Sequence, residues 1–466
     1  MTIPPTQEPP AFAFEMPERR NIGGWLVLIA IFSLMIGVQL AKYFDRDVKR
    51  PEAKYTGVAR QLKLGVEMRQ TMVLLGAGDN AGVESTLLAV EKELWKDTKG
   101  DVIAARLFAA SRSERGAEIP DEIIAKLKAS KERRDPLFAE IFAAKKIDLA
   151  RAKELEKELA GGGFVSKLAR IHAFEKAGDS SRREELISQG RAVFRLSVIS
   201  IAALCFMAGL ILWVIYFVLR AQGLLPTMGL PMERISLPDA DKLALRCAQL
   251  FVMFLAAPLA IGWLVSAMGI GKHFGNLVLY GTLLVAAVWL FKFPIGMRTF
   301  SLREIGIAKE NFGKHFAWGF ATALANLPLV LAAAWLGQWI FSGLPAAEHP
   351  TTVEIETGVG LFGTLVIAFA ASIGAPILEE IMFRGTLLPA LARVMNRPVA
   401  AILIQGLIFA AIHPTGVPAW LPLATIGAMS GFLSRQTGSL VPSIVMHAVH
   451  NFGTLLVAQA VLGNSG

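Results

Sequence analysis

Long apolar runs dominate the pattern of hydrophobic and polar positions along this chain. A run of about 20 apolar residues can cross the roughly 30 Å hydrocarbon layer of a bilayer as a helix. The sequence has about nine such runs, at 23–43, 194–219, 247–269, 275–297, 315–342, 358–382, 399–413, 418–434 and 439–461. The pattern therefore predicts an all-α fold, a polytopic bundle of membrane helices.

The stretch between the first two apolar runs has a different pattern. Segments such as LLAVEKELWKD and RAKELEKELAGGG place apolar residues at helical spacing among Lys and Glu, which predicts an inserted soluble helical domain. No small-residue cleavage site follows the first run, so it predicts an uncleaved anchor. The predicted divisions are a disordered polar tail (1–22), a first transmembrane anchor (23–43), the soluble helical domain (44–191), further transmembrane helices (192–289) and a C-terminal membrane core (290–461).

Composition and charge support a membrane protein and exclude a nucleic-acid partner. The chain is 54% hydrophobic and 18% charged, with a net charge of +9. Its basic residues flank the apolar runs, as the positive-inside rule expects for a protein whose partner is the lipid bilayer. Residues 298–314 are rich in Lys and Arg, whereas residues 344–357 contain only acidic charges. This asymmetry predicts a multi-pass protein of the plasma (inner) membrane with a cytoplasmic N-terminus.

The two cysteines carry no chemistry of their own. Cys205 and Cys247 lie in or beside apolar runs. They offer neither a disulfide framework nor a thiolate metal site.

Two adjacent glutamates and an arginine lie between the apolar runs of the sequence APILEEIMFRGTLLPALARV. A charge at the centre of a bilayer helix costs roughly 2.5–3.5 kcal/mol, so Glu379, Glu380 and Arg384 need compensation. Glu380 and Arg384 are four residues apart and share a helix face, where they can pair. Glu379 is rotated by about 100° from Glu380. We therefore expect Glu379 to face a polar cavity.

Depth counting brings further polar side chains to the level of these glutamates. A helix from Glu380 to the turn signal NRP at 396–398 rises about 24 Å, and the return to His413 rises about 23 Å. Beyond the next turn, His447 and Asn451 lie about 14 Å and about 20 Å along the last helix. Three helices should therefore present polar groups at similar depths. The remaining histidines are interpreted as structural, exposed or merely neighbouring: His172, His273, His315, His349 and His450.

These residue types suit hydrolysis. A carboxylate can act as the base for water, and a histidine can hold the water or share its proton. A second histidine and an asparagine can donate hydrogen bonds to an oxyanion. The same side chains could ligate a divalent metal, although the H-E-x-x-H motif and any Ser or Cys nucleophile motif are absent. Taken singly, each motif has a simpler explanation, such as a charge pair at a helix end or interhelical hydrogen bonding.

Three short motifs, in order, resemble those of a known family. EEIMFR matches Glu-Glu-x-x-x-Arg, FAAIH matches Phe-x-x-x-His and HAVHN matches His-x-x-x-Asn, and LREIGI at 302–307 resembles the stretch that often precedes them. These are motifs of the CPBP family of CAAX-processing and bacteriocin-processing intramembrane proteases, also called the Abi family. The resemblance covers roughly residues 290–461.

The resemblance implies a role for each site residue. Glu379 and His413 would activate water, and His447 and Asn451 would stabilise the oxyanion. The supporting positions would be Glu380, Arg384 and Phe409. The family has been described both as metalloproteases and as metal-free glutamate proteases. No cofactor is therefore certain, and a zinc ion, if one binds, would be held by Glu379, His413 and His447.

The sequence thus predicts an intramembrane endopeptidase that cleaves a peptide or protein substrate near the cytoplasmic membrane face. The soluble domain is a candidate for binding a protein partner. Two alternatives stay open: a non-catalytic scaffold or immunity protein, and a transporter that uses the Glu and His residues as a proton relay. The intact motif set disfavours the scaffold. The lack of paired broken helices in two related halves disfavours the transporter.

Overall fold

The structure is a computed structural model. It describes residues 20–49, 55–74, 81–188, 192–224, 235–269, 271–292, 300–307, 310–342 and 360–462, together with residues 344, 349, 351, 354 and 355. Every regular element within these residues is a helix, which confirms the predicted all-α class. Residues 1–19 of the predicted disordered tail lie outside the described part.

The first apolar run forms α1 (Gly23–Lys49), and a helical domain follows it. The helices of this domain are α2 (Thr56–Leu74), α3 (Ala81–Trp95), α4 (Val102–Glu114), α5 (Asp121–Lys128), α6 (Asp135–Ala143), α7 (Leu149–Glu158), α8 (Gly163–Ala177) and α9 (Ser180–Ser188). Side chains such as Leu62, Leu87, Phe108 and Phe174 form one continuous buried core across them. The domain therefore has an apolar core of its own, distinct from the cores of the membrane helices.

The membrane region contains eight helices, within the described residues, that are long and apolar enough to cross a bilayer. One is in α1, and the others are α10 (Ala192–Ala221), α11 (Leu237–Ala267), α12 (Lys272–Lys292), α13 (Phe312–Ile340), α14 (Gly360–Met395), α16 (Trp420–Thr437) and α17 (Val441–Leu462). The predicted run 399–413 forms α15 (Pro398–Ala411), whose 14 residues are fewer than the roughly 20 needed to span. The eight long apolar helices of the described residues confirm the predicted polytopic membrane bundle.

Glycines allow the site helices to approach each other closely. A Cβ added at Gly427 of α16 would lie 2.8 Å from the Cα of Gly406 on α15. A Cβ at Gly319 of α13 would lie 2.5 Å from the carbonyl oxygen of Pro442, which is at the start of α17. Backbones packed at this distance leave little freedom for sliding, so the helices that carry the site residues hold a defined register.

Helix α14 is a single 36-residue helix, and it continues past the end of the predicted run 358–382 to Met395. It contains two π-helical segments, Ala370–Gly374 and Ile381–Leu387. A π turn replaces the usual i→i+4 hydrogen bonds by i→i+5 bonds, and such turns are frequent at functional sites. Both glutamates of the EEIMFR motif lie in the short α-helical piece between the two segments, Ala375–Glu380.

A buried arginine joins the soluble domain to the membrane helices. Arg195, near the start of α10, forms a 2.7 Å ion pair with Glu67 of α2. Its Nε donates a 2.8 Å hydrogen bond to the carbonyl oxygen of Ala460, near the end of α17. One side chain thus ties the soluble domain to the helix that carries His447 and Asn451.

Candidate active site

A fully buried ion pair lies at the centre of the C-terminal bundle. Arg384 Nη1 donates a 2.8 Å hydrogen bond to Glu380 Oε1, and neither side chain is accessible to solvent. Arg384 Nη2 donates a second hydrogen bond, 2.9 Å long, to the carbonyl oxygen of Gly427 on α16. The guanidinium also lies over the Phe409 ring, 4.8 Å from its centroid. The pair therefore connects α14 with both α15 and α16.

Glu379 faces two histidines from other parts of the bundle. Its Oε2 atom is 3.6 Å from His447 Nε2 and 3.9 Å from His413 Nε2. His413 follows the end of α15, and His447 lies in the second turn of α17. Glu379 Oε2 is buried and has no hydrogen-bond partner among the described residues. The three residues that the sequence selected as a carboxylate and two imidazoles thus converge on one point.

In each of the two histidines, the contact that Nδ1 makes fixes the tautomer of the neutral ring. His413 Nδ1 contacts the carbonyl oxygen of Phe409, which can only accept a hydrogen bond, so in the neutral ring the proton is on Nδ1. His447 Nδ1 lies 3.0 Å from Glu380 Oε1, a carboxylate oxygen that Arg384 already binds. Both neutral rings therefore turn an Nε2 lone pair towards Glu379.

This arrangement leaves three hydrogen-bond acceptors facing one another. Two imidazole lone pairs and a carboxylate oxygen can be satisfied together only by a group that brings hydrogens or positive charge. A water molecule meets this need, because it donates two hydrogen bonds. The unpartnered Glu379 Oε2 atom marks the place where such a group would bind.

Phe409 packs against both histidine rings. Its ring centroid is 4.4 Å from that of His413 and 5.6 Å from that of His447. It also meets Phe383 edge-on at 5.2 Å. The phenylalanine of the FAAIH motif is therefore a fully buried ring that packs against both imidazoles and against the guanidinium of the ion pair.

Asn451 lies one turn beyond His447 on α17 and is bound to the backbone of α14. Its Nδ2 donates a 2.9 Å hydrogen bond to the carbonyl oxygen of Ala371. Ala371 belongs to the first π-helical segment, where the wider turn changes the hydrogen bonding of the backbone. One of the two amide hydrogens of Asn451 is thus engaged, which leaves the other for a ligand.

A metal ion fits this arrangement poorly. No three His, Cys, Asp or Glu side chains in the described part of the chain are arranged to hold one. The Glu379–His separations of 3.6 and 3.9 Å exceed the roughly 3.4 Å expected between neighbouring ligands of tetrahedral zinc with bonds of about 2.1 Å. We therefore derive no step through a metal, and zinc ligation by Glu379, His413 and His447 stays a conditional prediction.

Two residues near the site were not selected from the sequence. His349, in the connection between α13 and α14, was interpreted as structural or exposed. It is half-buried, its Nδ1 lies 2.6 Å from Thr351 Oγ1, and burial together with the charge of His413 lowers its pKa to about 4. The ring of Tyr280 on α12 packs on the first π-helical segment, since a Cβ added at Gly374 would lie 3.0 Å from Tyr280 Cδ1. Neither residue belongs to a motif with regular spacing, so only the tertiary structure reveals their position.

Comparison with known proteins agrees with this assignment of the C-terminal region. Residues 361–453 match a family described as type II CAAX prenyl endopeptidase Rce1-like. No curated protein and no solved structure matches the chain. The matched segment contains both glutamates, Arg384, both histidines of the site and Asn451. Residues 361–453 therefore form a domain of the Rce1-like type II CAAX prenyl endopeptidase family.

Proposed function

We propose that this protein is an intramembrane endopeptidase that hydrolyses a peptide bond by means of water activated by Glu379 and His413. The observation that supports this best is Glu379 Oε2, a buried carboxylate oxygen that faces two imidazole lone pairs and has no hydrogen-bond partner in the described part of the chain. The match of residues 361–453 to an endopeptidase family supports the reaction class.

Water fits between the proposed base and His413. Two hydrogen bonds of about 2.8 Å from one water at a near-tetrahedral angle span roughly 4.4 Å, close to the 3.9 Å between Glu379 Oε2 and His413 Nε2. Glu379 accepts one water proton while the oxygen attacks the peptide carbonyl carbon. That proton then passes to the leaving nitrogen as the C–N bond breaks. A general base of this kind contributes about 10²–10⁴-fold to the rate.

The buried ion pair prepares the second histidine. Glu380 accepts from both Arg384 and His447 Nδ1, so it fixes the orientation of the His447 ring. When His447 is protonated, its Nε2 can donate to the oxyanion, as can the remaining amide hydrogen of Asn451. In this proposal Glu380 and Arg384 support the site and do not touch the substrate.

The location and substrate belong to the same proposal. The basic loops support an N-terminus in the cytoplasm, a plasma (inner) membrane location and a site open to the cytoplasmic side. The soluble domain would then lie on the opposite face, where it could bind a protein partner. Cysteines introduced at the exposed Ser180 and Arg397 should label from opposite sides. Labelling of both from one side contradicts this orientation.

Glu379→Gln tests the proposed chemistry. The amide keeps the shape of the side chain but cannot accept the proton of water, so turnover should fall about 10²–10⁴-fold without loss of thermal stability. Substrates are first identified as peptides or proteins that accumulate in cells carrying this variant, and one of them then serves for cleavage assays on purified protein. Chelator treatment in the same assay tests the conditional zinc site.

Glu310→Gln is the matched control, because it makes the same chemical change at an exposed ion pair with Arg303. It should retain full activity. Full cleavage activity of well-folded Glu379→Gln would remove Glu379 as the base. A variant that causes no substrate to accumulate would favour the non-catalytic scaffold or the proton-relay transporter.

A further inference from the structure

The end of α17 needs a hydrogen-bond donor from outside the helix. The last four carbonyl oxygens of an α-helix have no partner within it, and that of Ala460 is among them because α17 ends at Leu462. Ala460 is also buried, so the donor has to come from a neighbouring element. Arg195 Nε donates a 2.8 Å hydrogen bond to the Ala460 carbonyl oxygen. A cation at this place also interacts favourably with the negative end of the helix dipole.

The soluble domain holds the guanidinium that makes this contact. Arg195 Nη2 lies 2.7 Å from Glu67 Oε2, and the two side chains are only 6% and 10% exposed. Glu67 follows Val66, a residue of the core of the soluble domain, so its position depends on that domain. Helix α2, which carries both residues, packs against α10 and α17. The end of α17 is therefore bound to the soluble domain through one side chain.

Anchoring at the membrane surface does not explain Arg195. An arginine near the end of a transmembrane helix usually extends its charged group to the interface, whereas Arg195 is buried and turned into the protein. Stability alone is also a weak explanation, because apolar side chains can often replace a buried ion pair without loss of stability. A better-attested use of buried charged or polar groups is to fix the register of packed elements.

The register of α17 matters because this helix carries both proposed oxyanion donors. At 1.5 Å per residue, Asn451 lies about 14 Å and His447 about 20 Å from Ala460 along the helix. Asn451 Nδ2 is 2.9 Å from the Ala371 carbonyl oxygen, and His447 Nδ1 is 3.0 Å from Glu380 Oε1. Hydrogen bonds of this kind tolerate a range of only about 0.5 Å in length. A shift of α17 by about 1 Å along its axis would therefore disturb both donors.

We infer that Arg195 is a positioning residue for the proposed reaction, and that it makes turnover depend on the soluble domain. Arg195 ties α2 to the end of α17, and α17 holds His447 and Asn451 at the site. This inference rests on the proposed function, since it concerns the donors to the peptide oxyanion. It implies that a protein bound to the soluble domain regulates cleavage by moving α2 relative to α10, without reaching the site.

A double substitution separates positioning from folding. Arg195→Met alone would leave Glu67 buried without its partner, whereas Glu67→Met/Arg195→Met removes both charges and should keep the melting temperature near the wild-type value. The double variant should still lower kcat by between about 10-fold and about 10²-fold, the larger figure being the cost of a misplacement of about 1 Å. KM should stay near the wild-type value.

Arg106→Met/Asp135→Leu is the matched control. It removes another ion pair with a buried carboxylate, which joins α4 to α6 within the soluble domain. It should leave kcat unchanged. Arg195→Lys is the second variant, for use if Glu67→Met/Arg195→Met does not fold. Lysine keeps the charge but lacks the planar fork that binds a carboxylate and a carbonyl together, so it should lower kcat too.

Asn451→Ala tests whether the effect passes through α17. Substitutions in one network are not additive. The Glu67→Met/Arg195→Met substitution, or Arg195→Lys in its place, should therefore lower kcat by a smaller factor in an Asn451→Ala background than in the wild type. A role confined to the stability of the soluble domain would give the same factor in both backgrounds.

Each result has a defined meaning when Glu379→Gln is measured beside these variants. Inactive Glu379→Gln, with a lower kcat in the folded double variant and a smaller factor in the Asn451→Ala background, supports the inference. Inactive Glu379→Gln with wild-type kcat in the double variant, or in Arg195→Lys where the double variant does not fold, overturns the role of Arg195 alone. Equal factors in both backgrounds overturn it as well. An active, folded Glu379→Gln overturns the proposed function itself, and the inference with it.

Discussion

Replacing Arg384 by Ala separates the structural half of the site from its chemistry. The substitution removes the arginine partner of a glutamate that is fully buried. It also removes the hydrogen bond to the Gly427 carbonyl oxygen and the guanidinium that lies over Phe409. Glu380 would keep only the contact with His447 Nδ1 among the ion-pair contacts described above.

The size of the effect follows from these contacts. Removing one partner of a buried ion pair costs about 3–5 kcal/mol, because the remaining charge is left uncompensated. The Gly427 carbonyl oxygen still accepts a 2.7 Å hydrogen bond from Gln405 Nε2, so it adds little to the cost. Uptake of a proton by Glu380 would recover part of it. We therefore expect a net loss of about 3 kcal/mol, at the lower end of this range.

The assay measures folded yield and the detergent melting temperature beside the cleavage rate of one substrate peptide. Arg384→Ala should lower yield and melting temperature, with activity falling in parallel, whereas Glu379→Gln should lower activity alone. Arg397→Ala is the control, since this arginine is exposed. A well-folded Arg384→Ala variant of normal melting temperature would refute the assignment of the ion pair as structural support.

Two further predictions concern packing and pH. Gly427→Ala should destabilise the protein by about 1–3 kcal/mol through a clash with α15, whereas Gly453→Ala, which meets nothing within 4 Å, should be neutral in the same melting assay. Burial lowers the pKa of His172, but hydrogen bonds and charges from Glu114 and Glu175 outweigh burial and raise it. The charged ring therefore stabilises the soluble domain below about pH 6.5, and this contribution is lost as pH rises through the raised pKa. As pH rises through this range, the rate of amide hydrogen exchange in α4 and α8 should therefore increase by more than the intrinsic pH dependence of exchange. His172→Gln should abolish this additional increase.

Residue spacing predicted much of the site, because the regular rise and rotation of a helix determine which side chains share a face and a depth. The four-residue separation of Glu380 and Arg384 places them on one face, and the structure has them paired. Counting the rise along two helices put His413 level with the glutamates, and its Nε2 lies 3.9 Å from Glu379. The catalytic roles of these residues stay predictions, since geometry alone does not decide them.

Other features depend on tertiary contacts that spacing does not encode. The sequence assigned Glu380 to Arg384 and left the histidines to Glu379, whereas His447 contacts both glutamates through its two nitrogens. This double contact depends on how α14 and α17 pack against each other. Asn451 binds a backbone carbonyl in a π-helical segment, which an ideal 100° periodicity does not predict.

The direction in which Glu379 points depends on the number of residues in the two π-helical segments that flank it. Each π turn accommodates about one residue more than an α-helical turn, and the piece Ala375–Glu380 is held between two such turns. Deleting one residue from either segment would convert it to an α-helix and rotate this piece by about 100° relative to the helix on that side. The orientation of the Glu379 carboxylate thus depends on the number of residues in the two π-helical segments as well as on their identity. A single-codon deletion that keeps every site residue would turn Glu379 away from the histidines.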